Sequence, residues 1–168
     1  MFSKLKSILA RRSPQQTFAI AALEAAQAAA EGVNWDDPAE RTGASLYLIL
    51  SKQFDLIGKP EGEFPYVPPF ATNKSRGALL GTAIAVVRQQ CGETPHNAII
   101  DAAITAFTLA YGPENGKFYA LQTFRESADG NEDVNFASDW AIGDTEGANR
   151  DDSPATPTAF YLAVAEMI

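Results

Sequence analysis

Apolar residues along this chain recur three or four positions apart, and proline and glycine mark where each run begins and ends. That period gathers side chains on one face of an α-helix. No stretch alternates apolar and polar residues between hairpin turns, as a half-buried strand would. Helix starts are written as a capping residue followed by Pro, whose missing N–H has no helical partner at that position anyway. Ser13-Pro14 with Gln16 and Asp37-Pro38 with Glu40 read as capping boxes, and Thr94-Pro95 and Ser153-Pro154 repeat the start. Gly32, Gly58, Gly92 and Gly112 stand where a helix needs its left-handed stop. These marks predict helices over 14–31, 37–57, 74–91, 94–111, 114–127 and 154–168, with one more at the N-terminus.

Composition agrees. Alanine, the best helix former, fills 29 of 168 positions. A chain of this length with 46% hydrophobic residues is one ordinary domain that can bury a core without disulfides or metal. The expected fold is all-α: a single-domain bundle of six or seven helices, with a basic amphipathic helix at 1–12 and an all-helical domain at 13–168. Two long loops are expected. Residues 58–73 hold four prolines with Phe64, Tyr66 and Phe70, and residues 126–152 hold nine acids, one base, Phe136 and Trp140. The segment 94–111 is predicted to be the central helix, because only Asn97, Asp101, Thr105 and Thr108 form a polar stripe, about 80° wide. Gly77 and Gly81, four apart, predict a close approach between two helices.

Charge divides the chain in two. The total is −8, with a pI near 4.6, which excludes a general nucleic-acid binder. Residues 1–12 nevertheless hold Lys4, Lys6, Arg11 and Arg12 and no acid, while the remaining nine bases face all 21 acids, a net −12. Wound as a helix, this segment puts Phe2, Leu5, Ile8 and Leu9 within an arc of about 120°. A basic start before an Ala-rich run has some of the form of a secretory signal, but Glu24 and Gln27 interrupt the apolar run. The favoured reading is a helix that binds a protein partner or a second copy through Phe2, Lys4, Leu5, Lys6, Leu9, Arg11 and Arg12. Packing on this protein's own acidic body and peripheral contact with an anionic membrane are the other uses of such a helix. No apolar run is long enough to span a bilayer, so a cytoplasmic location, in places peripheral to a membrane, is expected.

Candidate chemistry is sparse. Asp129, Asn131 and Asp133 match the first three ligand positions of a calcium-binding loop, but Val134 replaces the turn glycine and Trp140 the closing carboxylate. Calcium is therefore the one ion worth weighing, and no other cofactor is expected. His96 is the only histidine and Cys91 the only cysteine, too few for a zinc site or a disulfide. If 94–111 is central, Asp101 is buried, and burial would raise its carboxyl pKa into the range of a general acid.

Two functions follow. The first is a non-enzymatic acidic helical protein that binds a partner, or itself, through its N-terminal helix or an acidic face. The alternative is a small-molecule-binding or hydrolytic domain with Asp101 beneath a loop lid. A partner-binding protein should present an exposed apolar or acidic face, whereas an enzyme should converge polar groups on Asp101.

Overall fold

The computed structural model describes residues 32–56, 71–92, 94–148 and 157–165, and these contain six α-helices and no strand. The helices are α1 (Pro38–Leu56), α2 (Asn73–Cys91), α3 (His96–Tyr111), α4 (Pro113–Ala128), α5 (Glu132–Gly147) and α6 (Ala159–Ala165). The fold is an all-α bundle. The expected helices at 1–12 and 14–31, the stop at Gly58, the proline-rich connection up to residue 70 and the Ser153-Pro154 start lie outside the described residues. No helix among the described residues is long and apolar enough to cross a membrane.

Helix starts follow local chemistry, with changes of detail. Asp37 Oδ1 accepts the Ala39 N–H at 2.8 Å, as a capping residue should. Glu40 does not close the box on Asp37, whose own N–H is already donated to the Asn34 carbonyl. Its carboxylate takes the N–H of Asn34 instead, at 2.7 Å. The start of α3 is also corrected. Thr94 does not cap it; Pro95 stands at the cap with extended backbone and no side-chain bond. Helix α2 has a cap that the sequence reading missed, Thr72, which accepts the Ser75 N–H at 3.2 Å. Its stop is the expected one: Gly92, at φ 69°, donates its N–H to the Arg88 carbonyl.

The centre of the bundle is α2, not α3. Every residue from 75 to 83 is buried, as are Ala85, Val86 and Val87. Helix α3 buries one face through Ala102, Ala103, Ala106, Phe107, Ala110 and Tyr111 and turns Asn97 and Asp101 to solvent. The physical reason is size. Greasiness decides which helix gains from burial, but only a thin helix can be approached from every side. Helix α2 is built from Gly, Ala, Ser and Thr between its Leu and Val residues.

The tightest approach is between α2 and α5. A Cβ on Gly77 would collide with the Val134 carbonyl, and one on Gly81 with that of Ser138, about 2.9 Å from Ala141 Cβ as well. Further along, Gln89 Nε2 donates to the Thr145 carbonyl and Arg88 Nη1 lies 3.4 Å from Glu146 Oε1. The contacts advance in the same direction along both helices, so the two run parallel. Leu46, Leu50 and Phe54 of α1, Phe107 of α3 and Phe160 of α6 complete the core around Leu79 and Val86.

The segment 126–152, expected as a loop, is largely helix α5. Asp129-Gly130-Asn131 is a helix stop followed at once by a helix start. Gly130 takes φ 83°, and Asn131 accepts the Val134 N–H at 3.2 Å. Glu132 and Asp133 then occupy the first turn, where the helix dipole favours negative charge. Helix α6 spans only seven residues and would not persist alone. Its first N–H groups are satisfied from elsewhere. Asp144 Oδ2 accepts from Thr158 and Ala159 at 2.6 and 2.9 Å, and buried Gln53 Oε1 accepts from Phe160 and Tyr161 at 2.9 and 3.1 Å.

Gly81→Ala should destabilise the protein by about 1–3 kcal/mol, the usual cost of overpacking, despite its gain in helix propensity. Gly43→Ala, where an added methyl meets nothing within 4 Å, should stabilise by roughly 0.5–1 kcal/mol. Urea titration of both variants checks the contrast, and equal effects would remove the close-approach account.

Candidate functional site

Asp101 is exposed, contrary to the expectation of burial. Its backbone carbonyl accepts the Thr105 hydroxyl at 2.9 Å, and no contact joins its carboxylate to Asn97 or Thr108 among the described residues. The desolvation that would have made it a general acid is therefore absent. His96 and Asn97 are exposed at the start of the same helix, and Cys91 is half-buried at the end of α2.

The three candidate calcium ligands are placed by the α4–α5 turn. Asp129 Oδ2 lies 3.7 Å from Arg125 Nε, Asn131 spends its side-chain oxygen on the cap, and Asp133 is exposed on α5. Among the described residues no three His, Cys, Asp or Glu side chains gather as a metal site would require. The partner-binding set Phe2, Lys4, Leu5, Lys6, Leu9, Arg11 and Arg12 lies outside the described residues.

Two features that the sequence reading did not single out stand forward instead. The first is a polar cluster inside the bundle at the N-terminal end of α2. Arg76 is 4% exposed, with Nη1 2.7 Å from Glu126 Oε2 of α4 and Nη2 donating to Asn73 Oδ1 at 2.6 Å. Gln122 Nε2 donates to the other Glu126 oxygen at 2.7 Å. Beside this pair the buried Tyr111 hydroxyl hydrogen-bonds Ser75 Oγ at 3.1 Å. Burial drives the Tyr111 phenol well above its ordinary pKa, outweighing the Ser75 hydrogen bond and the nearby Arg76 charge, which pull it down. The cluster pins the start of α2 to the ends of α3 and α4, and its phenol stays neutral.

The second feature is the outer face of α5. Phe136 is 72% exposed and Trp140 42%, one helical turn apart. Gly143 and Gly147 continue the same stripe at helical spacing, and an added methyl on either would meet nothing. Glu132, Asp133 and Asp139 flank the aromatics and are exposed. The helix carries five acids and no base. Two of the five are engaged, Asp144 by the α6 N–H groups and Glu146 by Arg88. What remains is an aromatic ridge, bordered by carboxylates, that ends in a shallow glycine-lined step. A large apolar side chain left in water forfeits about 1.5–3 kcal/mol of burial, so two neighbours on one ridge mark a surface suited to being covered.

The sequence signal for this face was present but weak. The inward positions of α5 are Val134, Ala137, Ser138, Ala141 and Thr145, which keep helical spacing yet are too small and too polar to register as an apolar stripe. Phe136 and Trp140, the greasiest residues of the segment, point outward and confuse the period. Compared with protein-family models, with curated proteins and with solved structures, the chain matches none.

Two outcomes test the interior cluster. Arg76→Leu, which leaves a largely buried Glu126 carboxylate without its opposite charge, should cost about 2–4 kcal/mol, and adding Glu126→Leu should recover part of it. The raised Tyr111 pKa also sets a sign for alkaline pH. The unfolded chain begins to lose its phenol proton near the ordinary value of about 10, while the folded chain keeps it. Tyr111 therefore leaves stability unaffected below about pH 10, and above it lowers stability by at most roughly 1.4 kcal/mol per pH unit. Urea titrations at rising pH should show a shallower loss for Tyr111→Phe than for the parent chain.

Proposed function

We propose that this protein works by binding, and that the outer face of α5 takes a basic amphipathic helix of a protein partner. The observation that carries the reading is the exposed pair Phe136 and Trp140, bordered by Glu132, Asp133 and Asp139. Exposed aromatics one turn apart supply anchors of the kind that helix-in-groove recognition uses, and Gly143 and Gly147 leave room for a facing side chain. The carboxylates supply steering and register, because complementary charge raises encounter rates and disfavours acidic competitors. The acidic body, at −12 outside residues 1–12, extends that preference over the whole surface. Asp101, exposed and without a converging partner among the described residues, gives the hydrolytic alternative no comparable support.

The test uses a synthetic helical peptide of leucine and lysine, with its leucines on one face, titrated into the protein by calorimetry. Binding is expected, and it should weaken with rising salt as surface charges are screened. Phe136→Ser/Trp140→Ser should weaken it at least about tenfold, equivalent to 1.4 kcal/mol, less than the burial of either ring. Asp133→Lys/Asp139→Lys should remove most of the salt dependence. Unchanged affinity in the aromatic double variant, with its helix content intact, would sink the reading.

A further inference from the structure

The face on α5 needs a basic amphipathic helix, and the chain itself encodes one. Residues 1–12 carry four basic side chains and no acid, with Phe2, Leu5, Ile8 and Leu9 on one arc when wound as a helix. The face offers Glu132, Asp133 and Asp139 around Phe136 and Trp140, so both the charge and the apolar pattern are complementary. Resting on the binding reading above, we propose that residues 1–12 lie across the outer face of α5 of the same chain, covering Phe136 and Trp140 and giving way to a partner helix of the same chemistry.

The route of the chain allows this. The turn before α1 is held against the C-terminal end of α2, because Arg41 donates to the carbonyls of both Trp35 and Gln90. That end of α2 meets the C-terminal end of α5 through Arg88 and Glu146. The described chain therefore begins beside the C-terminal end of α2, the end at which α5 bears Gly143 and Gly147. The nineteen residues 13–31 span about 28 Å if helical and roughly 60 Å if extended. Helix α5, with 16 residues, is about 24 Å long. Nineteen residues are therefore long enough for residues 1–12 to reach the ridge.

Attachment to the same chain also sets the balance. A short tether presents its own segment at an effective concentration on the order of millimolar. The apolar arc holds only four side chains, so the cover is weak enough for a partner present at lower concentration, but with more contacts, to replace it. Covering of this kind reduces apparent affinity for any competitor by the fraction of chains left open.

The experiment uses the full chain carrying Trp35→Phe, which makes Trp140 the only tryptophan, with and without Leu5→Ser/Leu9→Ser. Circular dichroism first establishes that helix content is retained. Breaking the cover should move Trp140 emission to longer wavelength and should tighten binding of a synthetic peptide of residues 1–12 at least about tenfold. Identical emission and identical peptide affinity in the two chains overturn the proposal. So does a mass by light scattering that is doubled in the parent and single in the variant, which would assign the segment to a second copy. Sedimentation with vesicles of phosphatidylglycerol and phosphatidylcholine that depends on Leu5 and Leu9, with Trp140 emission unmoved by the double substitution, would assign it to a membrane and equally overturn the proposal. The leucine–lysine peptide separates the two readings. If it binds and the peptide of residues 1–12 does not, the cover is wrong and the face stands; if neither binds, both fall.

Discussion

The approach of α2 to α5 is the constraint from which the remaining architecture follows. At Gly77 and Gly81 the backbone of α5 occupies the space where a side chain of α2 would otherwise sit. Two parallel helices this close share carbonyl and small-residue surfaces over a long seam, and that seam makes α2 the axis of the bundle. With α2 surrounded, α3 is displaced to a flank and exposes Asp101. With α5 committed through its small residues, its two large aromatics have no interior position left and turn to solvent. Packing against glycine thus sets the core and the surface at once.

Polar groups then lock the elements that apolar packing brings together. Arg76 and Glu126 tie α2 to α4, and Tyr111 with Ser75 ties α3 to the same place. At the opposite side Gln53 and Asp144 receive the first N–H groups of α6, a helix too short to hold those donors in line unaided. Removing one side of such a contact is costly because the polar group left behind stays largely buried with fewer partners. Such contacts specify one arrangement of helices among the several that small apolar residues would tolerate. The buried Tyr111 hydroxyl belongs to the same set of locking contacts.

Division of labour along α5 connects architecture to use. Its inner face is small and uncharged and serves α2; its flank carries Asp144 and Glu146, which serve α6 and α2. Its outer face carries the aromatics together with the three remaining acids. A surface of that composition is soluble because its carboxylates stay hydrated, yet it gains from contact with a partner whose charge is opposite. In the binding proposed above, electrostatic complementarity would supply selectivity and the aromatic pair affinity.

Local chemistry made the helices legible in the sequence. Asp37, Pro38 and Gly92 act through their own backbone geometry and their nearest neighbours, so the boundaries they announce are nearly those observed. The close approach at Gly77 and Gly81 was legible for a related reason: small residues four apart lie on one face whatever the partner. Which helix would fill that notch was not legible. It is α5, hidden because its inward residues are small and because Asp129-Gly130-Asn131 serves a helix turn as readily as a metal loop. The burial of Asp101 was misjudged because hydropathy counts what a helix gains inside and ignores whether neighbours can reach it. Charge and period, which are properties of the chain alone, determined that this protein is helical, acidic and opposite in sign between residues 1–12 and the rest; the exposure of Phe136 and Trp140 was decided only in three dimensions, because a helix packed through small residues against the glycines of its neighbour must carry its large side chains on the other side.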